Sequence, residues 1–282
     1  MEFRLIQPLI DTALSEDLTY GDATASGILG PDIRCSLNLV QRRDGVVAGL
    51  PVAQMVFEAL DPEVEFKMLV QDGDYVNAGT QLASIRGRAV KMVMAERTAL
   101  NFMMRLGGIA SMTHQLVAEA RKVNDRVRIT DTRKTTPGLR ALEKYAVRLG
   151  GGHNHRFCLA DMAMLKDNHL ALLGKARISL KDAVERIRQH NHHGIKIEIE
   201  VDRLDQIDEV IASGADAILL DNMTPEQLRQ AVQHIQGKLV VEASGGVTLE
   251  MVRPIAETGV DLISVGSLTH SPRSMDIGLD YF

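Results

Sequence analysis

The chain has 282 residues, 45% of them apolar and 24% charged, the balance of an ordinary globular protein with a sizeable buried core. A net charge of −5 with a pI near 6.0 argues against a general binder of nucleic acid or acidic membrane, because such partners need a basic surface; any anion must be held by a local cluster of Arg and Lys. Two cysteines, Cys35 and Cys158, suggest neither a disulfide framework nor a zinc ribbon, so plain buried thiols in a reducing compartment are expected.

The first seventeen residues, MEFRLIQPLIDTALSED, mix acids into a short amphipathic pattern and lack the apolar core of a secretory signal. No run approaches the ~20 apolar residues that span a bilayer, so a soluble cytoplasmic protein is expected. Short alternating stretches at 33–40 and 65–70, with turn signals at Asp72-Gly73-Asp74 and Asn77-Ala78-Gly79, predict a small sheet with flanking helices. The run DGDYVNAGTQL is similar to half of a lipoyl or biotinyl carrier module. A carrier displays its lysine at a hairpin tip, whereas Lys67 falls inside the preceding strand, and a tight β-turn is preferred. Residues 90–106 then read as a long Met-rich helix closed by Gly107-Gly108, which sets a domain boundary at 107.

From about Val127 the rhythm becomes short β-branched runs alternating with amphipathic helices, the pattern of βα units around a parallel sheet. Six strands are predicted, at 127–130, 162–165, 195–201, 217–220, 239–241 and 262–265. Helix starts at Ser179, Thr224-Pro225 and Thr248 each place acidic charge early in the helix. The implied architecture is a right-handed α/β barrel or a barrel-like open sheet over residues 108–269.

In such folds the chemistry lies at the carboxyl ends of the strands. Strand by strand, those ends carry Asp131 to Lys134, Lys166 to His169, Glu198 and Glu200, Asp221-Asn222, Glu242 to Gly246, and Gly266-Ser267. One polar strand end is an ordinary helix cap, but six in register point to a shared site. Ser244-Gly245-Gly246 and Gly266-Ser267 follow the last two strands, where barrels commonly cradle phosphate on backbone amides. Glu200 and Asp221, on consecutive strands, suit magnesium through oxygen ligands or water. Arg133, Lys134, Arg156 and Lys166, with Arg97 on the preceding helix, exceed what one phosphate requires, so a second, multiply anionic substrate is expected. Pairing with Glu143 or Asp161 would account for any one of these cations, but not for all. A zinc site at His153 and His155 is disfavoured, since it needs three or four convergent ligands and Arg156 would oppose the ion. His190 to His193 reads as a solvated loop.

Eight ordered motifs run through nearly the whole chain: Ala95-Glu-Arg-Thr-Ala-Leu-Asn101, Thr130-Asp-Thr-Arg-Lys-Thr-Thr-Pro-Gly138, Gly150-Gly-Gly-His-Asn-His-Arg156, Leu165-Lys-Asp-Asn-His169, Glu198-Ile-Glu-Val201, Leu219-Leu-Asp-Asn222, Glu242-Ala-Ser-Gly-Gly246 and Val265-Gly-Ser-Leu-Thr-His-Ser271. With these the sequence resembles the quinolinate phosphoribosyltransferases, the carboxylating nicotinate-nucleotide diphosphorylases. The one departure, in Met103 to Gly108, is the lack of a Ser before the second Gly. The resemblance implies a smaller N-terminal α/β domain, 1–107, joined by the tail 270–282, and a TIM-barrel-like parallel α/β barrel with fewer than eight strands. It also implies a homodimer in which Arg97 serves the neighbouring site, and a reaction of quinolinate with phosphoribosyl pyrophosphate (PRPP) and Mg2+ in NAD biosynthesis.

By the same resemblance Arg133, His155 and Arg156 hold the two quinolinate carboxylates, with Lys166 between the substrates. PRPP falls to Thr132, Lys134, Glu200, Asp221, the 244–246 loop of Ser244, Gly245 and Gly246, and the 265–267 loop of Val265, Gly266 and Ser267. Catalysis falls to Lys134, Lys166, Glu200 and Asp221. The rivals are the related molybdenum-operon protein, whose usual pattern lacks the Lys166 to His169 segment, and a phosphate-binding barrel, either without catalysis or using Lys166 as a Schiff-base aldolase.

Overall fold

The computed structural model describes residues 6–281, which divide into two compact units. The first comprises the chain to His114, Thr136–Gly151 and the segment from Ser271; the second comprises Gln115–Thr135 and Gly152–His270.

In the first unit α1 (Gln7–Asp17) and α2 (Ala25–Ile28) precede β1 (Arg34–Gln41), β2 (Gly45–Val46), α3 (Leu50–Leu60), β3 (Glu65–Met68), β4 (Tyr75–Val76) and β5 (Gln81–Arg88). The two expected turns lie on either side of β4, and Lys67 sits within β3. A four-stranded sheet runs in the order Ile277–Tyr281, β1, β5, β3, with all neighbours antiparallel. Asp72 secures the start of α3 by accepting the amides of Gly49 and Leu50 at 2.9 Å, and it also takes the Tyr145 hydroxyl of α5 (Arg140–Leu149) at 2.9 Å.

The helix expected over 90–106 does not stop at Gly107-Gly108: α4 spans Ala89–Arg121. Its buried positions explain the continuation. Met92, Ala95, Ala99, Met103, Leu106, Ala110, Thr113, Val117 and Ala120 recur at spacings of three and four through the glycines, one unbroken inward stripe. The glycines answer a packing demand instead, since a Cβ at Gly108 would lie 2.1 Å from the Arg273 carbonyl oxygen. The tail is laid into that notch, and the Met275 amide donates to the Met104 carbonyl at 2.8 Å.

The second unit carries β6 (Arg128–Thr130), β7 (Met162–Leu165), β8 (Lys196–Val201), β9 (Ala217–Asp221), β10 (Val240–Ser244) and β11 (Leu262–Ser264). All six expected strands are present. They pair in parallel in the order β6-β11-β10-β9-β8-β7, which brings the first strand beside the last as in a barrel. The ring nevertheless stays open: among the described residues β6 and β7 form no ladder, and β6 is extended only by a bridge from Thr130 to His153. The connection between these two strands includes residues 136–151, which belong to the first unit. Helices α6 (Asp167–Ala176), α7 (Leu180–His190), α8 (Ile207–Ser213), α9 (Pro225–Ile235), α10 (Leu249–Ala256) and α11 (Ser267–His270) follow the strands. Ser179 caps α7 through the Asp182 amide, and Thr224 caps α9 through the Gln227 amide; Thr248 precedes α10 without a side-chain cap. The two cysteines are unpaired thiols but half-buried rather than buried; Cys35 rests against Met92, and Cys158 against Asp161 on a turn. Among the described residues no helix is long and apolar enough to cross a membrane.

Candidate active site

At the end of β6 the chain folds back on itself. Asp131, fully buried, accepts the His155 amide at 2.9 Å and the Asn154 side-chain amide at 2.7 Å, while the His153 amide donates to the Ile129 carbonyl at 2.8 Å. These bonds set His155 and Arg156 beside the strand end that carries Thr132, Arg133 and Lys134. Arg156 donates from Nη1 to the Met162 carbonyl at 2.9 Å. Burial lowers its pKa and the Arg133 guanidinium lowers it further, together outweighing the nearby Glu198 and Asp161 charges. Arg133 Nε is buried with no hydrogen-bond partner, a donor that a carboxylate would satisfy.

Across the mouth, Lys166 forms an ion pair with Glu200. Asp221 accepts the Asn222 side-chain amide at 2.7 Å and lies opposite Ser244 in the β9–β10 register. Asn222 adopts φ +54°, and its amide donates to the Ser244 carbonyl at 2.9 Å. Gly245, at φ +105°, turns directly above it, and a Cβ there would sit 2.3 Å from Asn222 Oδ1. On the other side a Cβ at Gly266 would stand 3.2 Å from Lys134 Cδ, so the second glycine loop touches the lysine stem.

Nine of the expected residues line one cavity of about 360 Å3 in the second unit: Thr132, Arg133, Lys134, His155, Arg156, Lys166, Glu200, Asp221 and Ser244. Gly245 and Gly246 line a neighbouring cleft with Asn222. Val265 is buried with its amide on the Thr130 carbonyl, and Ser267 begins α11. Arg97 is not with them. It belongs to the first unit, where it lines a different cavity of about 300 Å3 with Asn101, Arg105 and Glu143. Glu143, the alternative partner for any one of those cations, is held by Arg105 at 2.6 Å.

Two acids that the sequence placed only among the polar strand ends meet at the cavity, with Glu242 in its lining. Glu198 and Glu242, each 1% exposed, place a carboxylate oxygen 3.4 and 3.3 Å from His155 Nε2. The signal was an acid inside a buried apolar strand, rare without a purpose. Burial drives the Glu198 pKa up and the Glu242 charge adds to this against His155, leaving it at about 7. Burial alone would lower the His155 pKa, but the two carboxylates outweigh it and raise it. Nδ1 accepts the Arg156 amide at 2.8 Å in the ring form whose one proton is on Nε2, facing the carboxylates; a second proton, on Nδ1, would displace that amide. His155, Glu198 and Glu242 also have the donor types of a metal set, with ligand atoms within 4.8 Å of one another, while His153 stands apart from them. Glu200 and Asp221 offer hard oxygen donors at the cavity wall, the chemistry that magnesium prefers.

A parallel α/β sheet whose strand ends gather four cations, two acids and two glycine turns defines a protein that handles two polyanions together. The comparisons narrow that class. The model of the quinolinate phosphoribosyl transferase C-terminal domain matches residues 109–280, that of the N-terminal domain matches 20–107, and the chain belongs to this family. The chloroplastic carboxylating nicotinate-nucleotide pyrophosphorylase of Arabidopsis thaliana is 40% identical over 97% of this chain and 82% of its own. A mitochondrial decarboxylating quinolinate phosphoribosyltransferase of Nicotiana glauca is 38% identical over 97% and 81%. The crystal structure of NadC from Streptococcus pyogenes superposes with a TM-score of 0.93 at 39% identity, covering 100% of this chain and 99% of that one.

Proposed function

We propose that this chain transfers the phosphoribosyl group of PRPP to quinolinate, with release of diphosphate and CO2 and formation of nicotinate mononucleotide, in the de novo synthesis of NAD. The observation that carries this reading is the single cavity in which Arg133, Lys134, Arg156 and Lys166 meet Glu200, Asp221 and Ser244. Four cations facing one cavity, of which among the described residues only Lys166 forms an ion pair there, fit a dicarboxylate, and the adjoining glycine loops fit phosphate.

Arg133 and Arg156 hold the two ring carboxylates and so aim the pyridine nitrogen at the anomeric carbon, while Lys134 draws charge onto the departing diphosphate. The nitrogen lone pair forms the new C–N bond as the C–O bond breaks, and that electron pair leaves with diphosphate. Glu200 and Asp221 face the positive charge that develops on the sugar, and Lys166, paired with Glu200, stands between the two substrates. Once glycosylated, the ring nitrogen is cationic. The adjacent carboxylate departs as CO2, and the electron pair left on the ring carbon is stabilised by that charge and then protonated. Mg2+ held by Glu200 and Asp221, directly or through water, would supply charge neutralisation for the diphosphate. The working form is a cytoplasmic homodimer, each subunit lending Arg97 to the other's dicarboxylate site.

Purified protein given quinolinate, PRPP and Mg2+ should release CO2 and diphosphate in equal amounts. Product formed from nicotinate in place of quinolinate would reject the substrate assignment, and a borohydride-trapped Lys166 adduct would favour the aldolase reading.

A further inference from the structure

At the wall of the cavity, which Glu242 and Ser264 help to line, a row of side chains crosses three neighbouring strands. Thr130 on β6 and Ser264 on β11 are register partners, and their hydroxyls lie 2.7 Å apart. Ser264 donates to Glu242 Oε1 of β10 at 2.5 Å, so Thr130 must be the donor in the first contact. That bond fixes the rotation of a carboxylate that is 1% exposed, and turns its other oxygen, Oε2, toward His155 Nε2 at 3.3 Å. Among the described residues Glu242 Oε2 and Glu198 Oε2 have no other hydrogen-bond partner, so the imidazole is the group that compensates both. On its far side the ring accepts the Arg156 amide at 2.8 Å. The Arg156 guanidinium is meanwhile tied at its tip to the Met162 carbonyl at 2.9 Å.

We infer that Glu242, steered by Ser264 and Thr130, is a positioning residue for the dicarboxylate site: it holds the His155 ring with Nε2–H turned inward, and the ring in turn fixes Arg156 where it meets the substrate. In this arrangement His155 acts mainly as a buried link and only secondarily as a contact to the carboxylates. The inference rests on reading the cavity as a quinolinate site; Glu242 reaches the cavity wall with only 1% exposure, and its effect on the substrate passes through the His155 ring.

The test measures two things on Glu242→Ala, Glu242→Gln and Ser264→Ala. The first is KM for quinolinate and, separately, for PRPP. The second is the 15N shift pattern of the His155 ring, which reports which nitrogen carries the proton and does not depend on turnover. Glu242→Ala should raise KM for quinolinate at least tenfold while KM for PRPP changes less than twofold, and the ring should average between tautomers. Ser264→Ala, which loses one hydroxyl, should raise KM for quinolinate by roughly three- to fivefold. In Glu242→Gln the amide oxygen can face Nε2–H while its NH2 turns to Ser264, so KM should return to within threefold of wild type with the ring held as before. Equal rises in both KM values, or an unaltered quinolinate KM in Glu242→Ala, would overturn the inference, as would an unchanged ring pattern. Should Glu242→Ala not fold, Ser264→Ala decides by the same two readouts. Wild-type protein without turnover would instead reject the quinolinate reading and the positioning role with it, and the ring pattern would still decide whether Glu242 anchors His155.

Discussion

Alanine at Gly245 perturbs the proposed phosphate loop at its tightest point. The residue holds φ +105°, a conformation that costs a side-chain-bearing residue about 1–3 kcal/mol. The new Cβ would also stand 2.3 Å from Asn222 Oδ1 and 2.7 Å from the Asn222 amide nitrogen. That amide cannot simply retreat, because it donates to the Ser244 carbonyl at 2.9 Å. The loop itself must therefore shift, and losing one charge-assisted hydrogen bond to phosphate is worth about 1.5–3 kcal/mol, or roughly ten- to a hundredfold in KM. Gly246 supplies the control: it sits at φ +56° with nothing within 4 Å of a built Cβ. Gly246→Ala should cost only about 1 kcal/mol of stability and leave KM for PRPP within about threefold. Steady-state kinetics with PRPP varied, alongside thermal melts, separate the two. A Gly245→Ala enzyme with the wild-type KM, or a Gly246→Ala enzyme equally damaged, would refute the reasoning.

Three further outcomes are expected. Arg97→Ala and Arg156→Ala should each collapse turnover, and mixing the two inactive proteins under subunit exchange should restore part of it; no recovery despite proven exchange would count against a shared site. Tyr145→Phe removes one bond to Asp72 and should cost about 1 kcal/mol in urea unfolding. Asp72→Ala, which strands the Gly49 and Leu50 amides as well, should cost about 2–4 kcal/mol by the same measurement. Hydrogen bonding to Arg88 holds the Asp61 carboxyl down to about 2, so its contribution to stability is complete above the unfolded value near ~4 and is lost as pH falls toward 2. Urea midpoints of wild type should therefore drop over that window more than those of Asp61→Asn; parallel curves would discount the pair.

The parallel sheet was legible because its strands are short β-branched runs set between amphipathic helices, a contrast that survives without neighbours in view. The site cations were legible for a related reason: strand ends in such a sheet share one mouth, so Arg133, Lys134 and Lys166 could be placed together from position alone. The extent of α4 was not. Gly107-Gly108 carries the usual stop signal, and only the tail lying against it reveals why the residues are small. The link from Glu242 to His155 escaped for the same cause, since it depends on β10 lying beside β11 and on a loop folded by Asp131. Both acids stood in view as charges inside apolar strands, yet a linear pattern shows that a charge is unusual without naming its partner.

The edge strand Ile277–Tyr281 has a bearing on biosynthesis. During translation β1 leaves the ribosome more than two hundred residues before the strand that covers its outer side. Until that strand emerges, the first unit exposes a bare row of amides and carbonyls and an empty notch on α4. Vectorial synthesis can thus complete the second unit first, and the strand 277–281 then acts as the latch.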